Sequence, residues 1–200
     1  MLLVLIASDA DNSLLNRLRF ADGDGTPKRV AQFISDHADL MLAAPLSLLI
    51  WGAGMIAKRA RWRKIGLACL MVTLMAGLIV LVFRVGTGRP RPFAAQPYTD
   101  VQDGFYGPHL SLKYQSFPSG HAGTSIATAV VIAAAVPVAT IPCVVYAVAV
   151  NWSRMQLLMH HPLDVTVSTV IGLVCGLCFA STVPRSVIRL RRRKRKRTRT

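Results

Sequence analysis

The stretch "IGLACLMVTLMAGLIVLVF", residues 65–83, runs for nineteen residues without a charge. As an α-helix rising 1.5 Å per residue it would be about 28 Å long, close to the ~30 Å hydrocarbon core of a bilayer. Four other apolar runs, roughly 41–57, 122–139, 141–158 and 164–182, are long enough, or nearly so, to do the same. Composition agrees with this reading. The 200 residues are 52% hydrophobic and only 16% charged, with a mean hydropathy of +0.43, which lies outside the usual soluble range. The expected fold is therefore all-α: a polytopic membrane helical bundle of about five transmembrane helices.

The formal net charge of +15 is unevenly spread. Five basic residues lie between Lys58 and Lys64, and ten more between Arg185 and Arg199. The positive-inside rule places both groups in the cytoplasm. With alternating spans, the chain then leaves the membrane at Arg84 on the outer side, re-enters after His121, leaves again near Met159 and returns through the last span. Residues 1–40 carry six Asp against four Lys or Arg, consistent with an outer location. Here "NSLLNRLRF" and "VAQFISDHADLM" read as short interfacial helices separated by a "DGDGTP" turn. "MLLVLIAS" is too short for a span and lacks the basic start of a signal peptide. The expected division is an N-terminal interfacial segment 1–40, a membrane domain 41–184 and a basic cytoplasmic tail 185–200. Residues 93–117, rich in turn formers and aromatics, read as a lid or a substrate-shaping loop.

Clustered Lys and Arg in the tail "RLRRRKRKRTRT" could release counterions from a phosphate polymer. No aromatic residues are interleaved and no nucleic-acid reader motif accompanies it. Anionic lipid headgroups are the expected partner of the tail, and nucleic acid is not. The four cysteines, Cys69, Cys143, Cys175 and Cys178, all fall within apolar runs and read as packing residues. The chain has no Glu, and its Asp residues do not stand at metal-ligand spacing from His, so neither a metal nor a cofactor is expected.

Three polar clusters stand at the ends of the runs, all on the side assigned to the exterior. "RVGTGRPRP" places Arg84, Arg89 and Arg91 just beyond the second run. Alone they read either as snorkelling arginines or as a site for an anion whose oxygens match the guanidinium fork. "SFPSGHAGTS" has Pro118 and Gly120 to set a turn, Ser119 as a helix cap and His121 at the start of the third run. This is either a plain cap with an interfacial histidine or an anion cradle formed by free backbone N–H groups. "SRMQLLMHHPLD" holds Ser153, Arg154, His160 and Asp164. Pro162 suggests that the last span starts between His160 and Asp164. Asp164 can accept a ring N–H from His160, fixing the tautomer and leaving the other nitrogen free to attack. A lone Asp–His pair is more often structural, but Arg, His and Asp together at a membrane boundary are costly unless paired or used.

Together these clusters resemble the tripartite signature of the type 2 phosphatidic acid phosphatase superfamily, K-x6-R-P, P-S-G-H and S-R-x5-H-x3-D. That superfamily also includes vanadium haloperoxidases and glucose-6-phosphatase. The second and third parts match in full, as Pro118-Ser119-Gly120-His121 and as Ser153-Arg154 with His160 and Asp164; the first reads Arg84-x6-Arg91-Pro92. The resemblance implies that His160 is a nucleophile forming a phosphohistidine, that Asp164 orients it and that His121 is the general acid. It implies that Arg84, Arg91, Arg154, Ser119 and the Gly120 backbone bind the phosphoryl oxygens. Membrane members of the family need no metal.

The sequence departs from the pattern in two places. Arg84 stands where the family usually has Lys, which keeps the charge but changes its shape. Leu158 stands two residues before His160, where many members carry Gly. His161 lies outside the signature and reads as an interfacial bystander; His37 and His109 read as surface residues. The function implied is an integral membrane phosphatase acting on a lipid phosphomonoester or pyrophosphate at the outer face of a bacterial plasma membrane. Undecaprenyl pyrophosphate is slightly favoured over phosphatidate, phosphatidylglycerophosphate and lipid A phosphate. A lipid phosphotransferase using the same intermediate, or a catalytically idle binder of lipid phosphate, are the alternatives. The intact His160, Asp164 and His121 argue against the binder.

Overall fold

The computed structural model describes residues 2–19, 25–37, 40–95 and 101–183. Among these there are seven α-helices and no strand: α1 (Leu2–Leu18), α2 (Thr26–Asp36), α3 (Leu40–Ile56), α4 (Ala60–Thr87), α5 (Gly120–Ala135), α6 (Thr140–Gln156) and α7 (Pro162–Ala180). The basic tail 185–200 and residues 22–24 of the "DGDGTP" turn lie outside the described residues.

The five expected runs correspond to α3 through α7. Three segments are long and apolar enough to cross a membrane unaided: α4, α7, and residues 137–156, which comprise α6 and the short 3₁₀ turn before it. Helices α3 and α5 are shorter, at 17 and 16 residues. The break between the third and fourth runs falls at Val136–Ala139, where Pro137 opens the 3₁₀ turn. Leu2–Ser8 of "MLLVLIAS" are the beginning of the 17-residue α1.

The bundle is built inside out relative to a soluble protein. Its outward surface carries large apolar side chains such as Leu78, Val82, Val148 and Leu177, each more than 60% exposed. Its interior is filled by Ala68, Val72, Ala76, Ala127, Val131 and similar residues. Lipid tails solvate leucine as well as another leucine does, so close backbone approach and van der Waals fit hold such helices together. Thr73 of α4 adds a 2.7 Å hydrogen bond to Thr128 of α5.

Helices α5 and α7 make the most extensive contact. Gly172 and Gly176 of α7, spaced four apart, allow it. A Cβ on Gly172 would lie 2.6 Å from the Gly123 carbonyl oxygen, and one on Gly176 would lie 2.6 Å from Val130 Cβ. The ends of the bundle differ in character. The Arg61 guanidinium donates to the Ala135 carbonyl at 2.7 Å, which puts the end of α5 beside the basic turn that opens α4. The end of α4, the start of α5, the end of α6 and the start of α7 therefore meet at the opposite end. The N-terminal pair joins them there, α1 packing on α7 and α2 on α6.

Leu158, between α6 and α7, has φ +54°, in the left-handed region that costs a side-chain-bearing residue roughly 1–2 kcal/mol. This accounts physically for the glycine that many family members place there. Leu158→Gly should leave thermal stability in detergent unchanged or raised, within about 1 kcal/mol, because relief of strain offsets lost contacts and added chain entropy. Gly172→Val should lower the melting temperature and the activity together, since it forces α5 away from α7.

Candidate functional site

Helix α4 ends in a left-handed Gly88 at φ +58°, whose N–H caps back onto the Arg84 carbonyl. The following segment folds over that end: His109 N–H donates to Val85 O at 2.9 Å and Gly107 N–H to Thr87 O at 3.1 Å. A Cβ on Gly88 would collide with the Gly107 carbonyl. The first cluster is thus held between the end of α4 and residues 105–109.

Arg84 projects from the last turn of α4 towards the Pro-Ser-Gly turn. Its Nε lies 3.4 Å from the Pro118 carbonyl oxygen, and its guanidinium fills the space a Cβ on Gly120 would need. Gly120 opens α5, with Ser119 as N-cap and His121 as the next residue. Ser119 is fully buried, and its N–H donates to the Asp164 carbonyl oxygen at 3.3 Å. Arg91 reaches the third cluster, with Nη1 3.2 Å from Met159 Sδ. Its neighbourhood is fixed through the backbone, Phe93 N–H donating to Leu158 O at 3.1 Å. The Arg154 carbonyl accepts from Met159 and His160 N–H at 3.0 and 3.3 Å. Arg154 Nη1 is hydrogen-bonded to Ser35 Oγ of α2. All eight residues anticipated from sequence, Arg84, Arg91, Ser119, Gly120, His121, Arg154, His160 and Asp164, belong to this one end of the bundle.

Pro162 opens α7, as anticipated, so His160 and Asp164 sit across a helix N-terminus. Their geometry is less direct than a shared hydrogen bond. His160 is 1% exposed. Its Nδ1 lies 2.7 Å from the Ser116 carbonyl oxygen, against 3.8 Å from Asp164 Oδ2. A carbonyl oxygen can only accept, so Nδ1 carries the hydrogen and Nε2 of the neutral ring carries the lone pair. Burial drives the His160 pKa from 6.5 down to about 3; Asp164 opposes this, while the Arg154 and Arg91 charges add to it.

The Asp164 carboxylate is occupied elsewhere. Oδ1 accepts from Arg89 Nη1 at 2.7 Å. Oδ2 accepts from Ser116 Oγ at 2.5 Å and from His161 N–H at 2.8 Å, with His161 Nδ1 at 3.3 Å. His161 is therefore fully buried inside the cluster and is not an interfacial bystander. Arg89, to which the signature assigned no role, is 2% exposed and pairs with three carboxylates. Besides Asp164 these are Asp103, bound through Nε and Nη2 at 2.9 and 2.8 Å, and Asp11 of α1 at 2.9 Å. Burial opposes the Arg89 charge, but the hydrogen bond to Asp103 and the charges of Asp164, Asp103 and Asp11 outweigh it and raise its pKa. Asp11 also accepts from Leu163 N–H in the first turn of α7 at 2.9 Å. Nothing in the local sequence around Asp11, Asp103 or Ser116 announces these roles.

Among the described residues of this cluster, Ser119 Oγ and Arg91 Nε, like His161 Nε2, are buried without a hydrogen-bond partner. An unmade hydrogen bond at a buried polar atom costs about 1–3 kcal/mol, and the Ser119 and Arg91 donors at the start of α5 and beside His160 mark a place for acceptor oxygens. Below the start of α5, a cavity of about 320 Å³ lies between the helices, lined by Leu46, Ile50, Cys69, Thr128, Ile132 and Tyr146 among others.

Comparison with known proteins identifies the fold. The chain superposes on the crystal structure of a transmembrane PAP2-type phosphatidylglycerolphosphate phosphatase from Bacillus subtilis with a TM-score of 0.67 and 24% identity, covering 88% of this chain and 85% of that one. It superposes on LpxE from Aquifex aeolicus with a TM-score of 0.59 and 18% identity, covering 84% and 93%. No curated protein matches the chain by sequence. The family model described as PAP2 superfamily matches residues 64–188, a span that contains all three clusters. The chain belongs to the PAP2 superfamily.

Proposed function

We propose that this protein is a membrane lipid phosphatase that cleaves a phosphomonoester or pyrophosphate through a phosphohistidine on His160. The observation that carries the reading is the pair of partnerless buried donors, Ser119 Oγ and Arg91 Nε, in the cluster that holds a neutral His160. In the first step the Nε2 lone pair forms a bond to phosphorus and the bond to the leaving oxygen breaks. His121 gives that oxygen its proton. In the second step a water gives its proton back to His121, its oxygen bonds to phosphorus and the P–N bond breaks. Arg84, Arg91, Arg154, Ser119 Oγ and the Gly120 N–H surround the phosphoryl oxygens, where charge spreads in the transition state. Three guanidinium groups supply positive charge without a metal, which makes the reaction metal-independent on this scheme.

The apolar cavity beneath α5 supports a lipid substrate, since it offers room for a hydrocarbon chain between helices. The separation of the site from the basic turn at 58–64 supports an outer-face site, because the positive-inside rule assigns that turn to the cytoplasm. The phosphatase domain then comprises 41–184, preceded by the segment 1–40. The tail 185–200 binds anionic headgroups from the cytoplasmic side of a bacterial plasma membrane. Undecaprenyl pyrophosphate, phosphatidate, phosphatidylglycerophosphate and lipid A phosphate are the substrates to test. Similarity to the phosphatidylglycerolphosphate phosphatase of Bacillus subtilis makes the third of these a necessary comparison.

Purified protein in detergent with EDTA should release phosphate from at least one of these lipids. His160→Gln should reduce release by at least about a thousandfold while leaving the protein folded; turnover surviving that change would remove the nucleophile assignment. A second outcome concerns pH. The folded pKa of His160 is depressed from 6.5 to about 3, so the stability tied to its neutral form is complete above pH 6.5 and is lost as pH falls towards 3. Melting temperature should decline across that window, and the decline should be shallower in His160→Gln.

A further inference from the structure

We infer that Ser116 is a positioning residue for this reaction, and that Asp164 acts on His160 through it. The inference rests on the reading of His160 as the nucleophile. Ser116 is fully buried and uses all three of its polar groups within the site. Its N–H donates to the Arg89 carbonyl at 2.9 Å, its Oγ–H donates to Asp164 Oδ2 at 2.5 Å, and its carbonyl oxygen accepts from His160 Nδ1 at 2.7 Å. One residue thereby joins the segment after α4, the nucleophile's ring and the first turn of α7.

Geometry favours this route over a direct one. At 3.8 Å the Asp164–His160 separation is beyond hydrogen-bond range, whereas both links through Ser116 are short. The Asp164 oxygens are already taken by Arg89, Ser116 and His161. What Asp164 can do from there is hold the Ser116 side chain, and with it the peptide whose carbonyl selects the His160 tautomer. With Nδ1–H donated to that carbonyl, Nε2 keeps its lone pair for phosphorus. A loosened Ser116 peptide lets the ring flip or change tautomer, and the lone pair is then misdirected in a fraction of molecules. The expected signature is a loss of kcat with little change in KM, because Ser116 touches no substrate oxygen.

The test is a double-mutant cycle on phosphate release from the best lipid substrate, with Ser116→Ala, Asp164→Asn and the pair. Action through Ser116 predicts a drop of about ten- to a hundredfold in kcat for Ser116→Ala at near-constant KM. It also predicts a double variant no slower than Asp164→Asn alone. Single effects that multiply in the double variant would show that Asp164 reaches His160 independently and would overturn the inference. So would a Ser116→Ala enzyme with unchanged kcat. A measurement on the unmodified protein covers the case in which Ser116→Ala does not fold. With ¹⁵N-labelled histidine, the His160 signals, identified by their absence in His160→Gln, should report Nδ1 protonated and Nε2 bare at neutral pH. The opposite tautomer would refute the proposed Ser116 contact. Turnover surviving His160→Gln would instead sink the nucleophile reading itself, and the two failures are thereby distinct.

Discussion

Arg89 carries a permanent charge into a place that water scarcely reaches, and taking such a charge out of water costs several kcal/mol even after the surroundings relax. Three carboxylates offset that cost, and each comes from a different part of the chain: Asp11 from α1, Asp103 from the segment that covers the end of α4, and Asp164 from α7. Removing one partner of such a buried pair typically costs about 3–5 kcal/mol, because the charge left behind is uncompensated. The cluster therefore selects one arrangement of these three elements and penalises others. The same residue's carbonyl anchors Ser116, so the arrangement of the ion cluster is passed to the ring of His160 through two hydrogen bonds. Down the rest of the bundle nothing comparable operates among the described residues. There the helices are held by small residues that let backbones approach, as at Gly172 and Gly176.

The helices were legible because an uncharged run of nineteen residues admits few structures in a bilayer. The meeting of the eight expected residues at one end of the bundle was legible from the three motifs that resemble the family signature. Even the departure at Leu158 was visible, although only the backbone shows its cause, a left-handed φ of +54°. The exposed positions of Trp51 and Trp62 likewise suit interfacial anchoring.

What stayed hidden was hidden by distance along the chain or by chemistry common to every residue. Arg89 falls outside the signature that picks out Arg84 and Arg91, and its partners Asp11 and Asp164 lie 78 and 75 residues away. Ser116 acts on His160 through a backbone carbonyl, a group every residue has, so no pattern could mark it. His161 lies outside the signature, and the proline that follows it calls for an extended backbone. That backbone is indeed extended, at φ −81° and ψ 160°, but as the N-cap of α7 it turns the residue into the cluster and lets its N–H meet Asp164. The four-residue spacing of Gly172 and Gly176 did carry a signal, the small-residue pattern of closely packed membrane helices.

The burial of His160 and the placement of Asp164 make different demands, and the network reconciles them. A deeply buried imidazole resists protonation, which keeps the ring neutral and its Nε2 available over the physiological range. On the proposed scheme, bonding phosphorus to Nε2 turns that ring into a cation in the same low-dielectric surroundings. The Ser116 carbonyl that accepts Nδ1–H turns its negative end to that ring. Asp164, held by Arg89, Ser116 and the His161 N–H before any substrate arrives, keeps that carbonyl in place, so no reorganisation is needed when the intermediate forms. Arg154 and Arg91 face the opposite requirement: their charges disfavour a proton on His160 in the resting protein, yet on the proposed scheme they match the phosphoryl oxygens once substrate is bound. A site that must stay neutral at the nitrogen while stabilising negative oxygen and positive ring in turn needs charges of both signs fixed close by, and the buried Arg89 cluster is what keeps the negative ones in place.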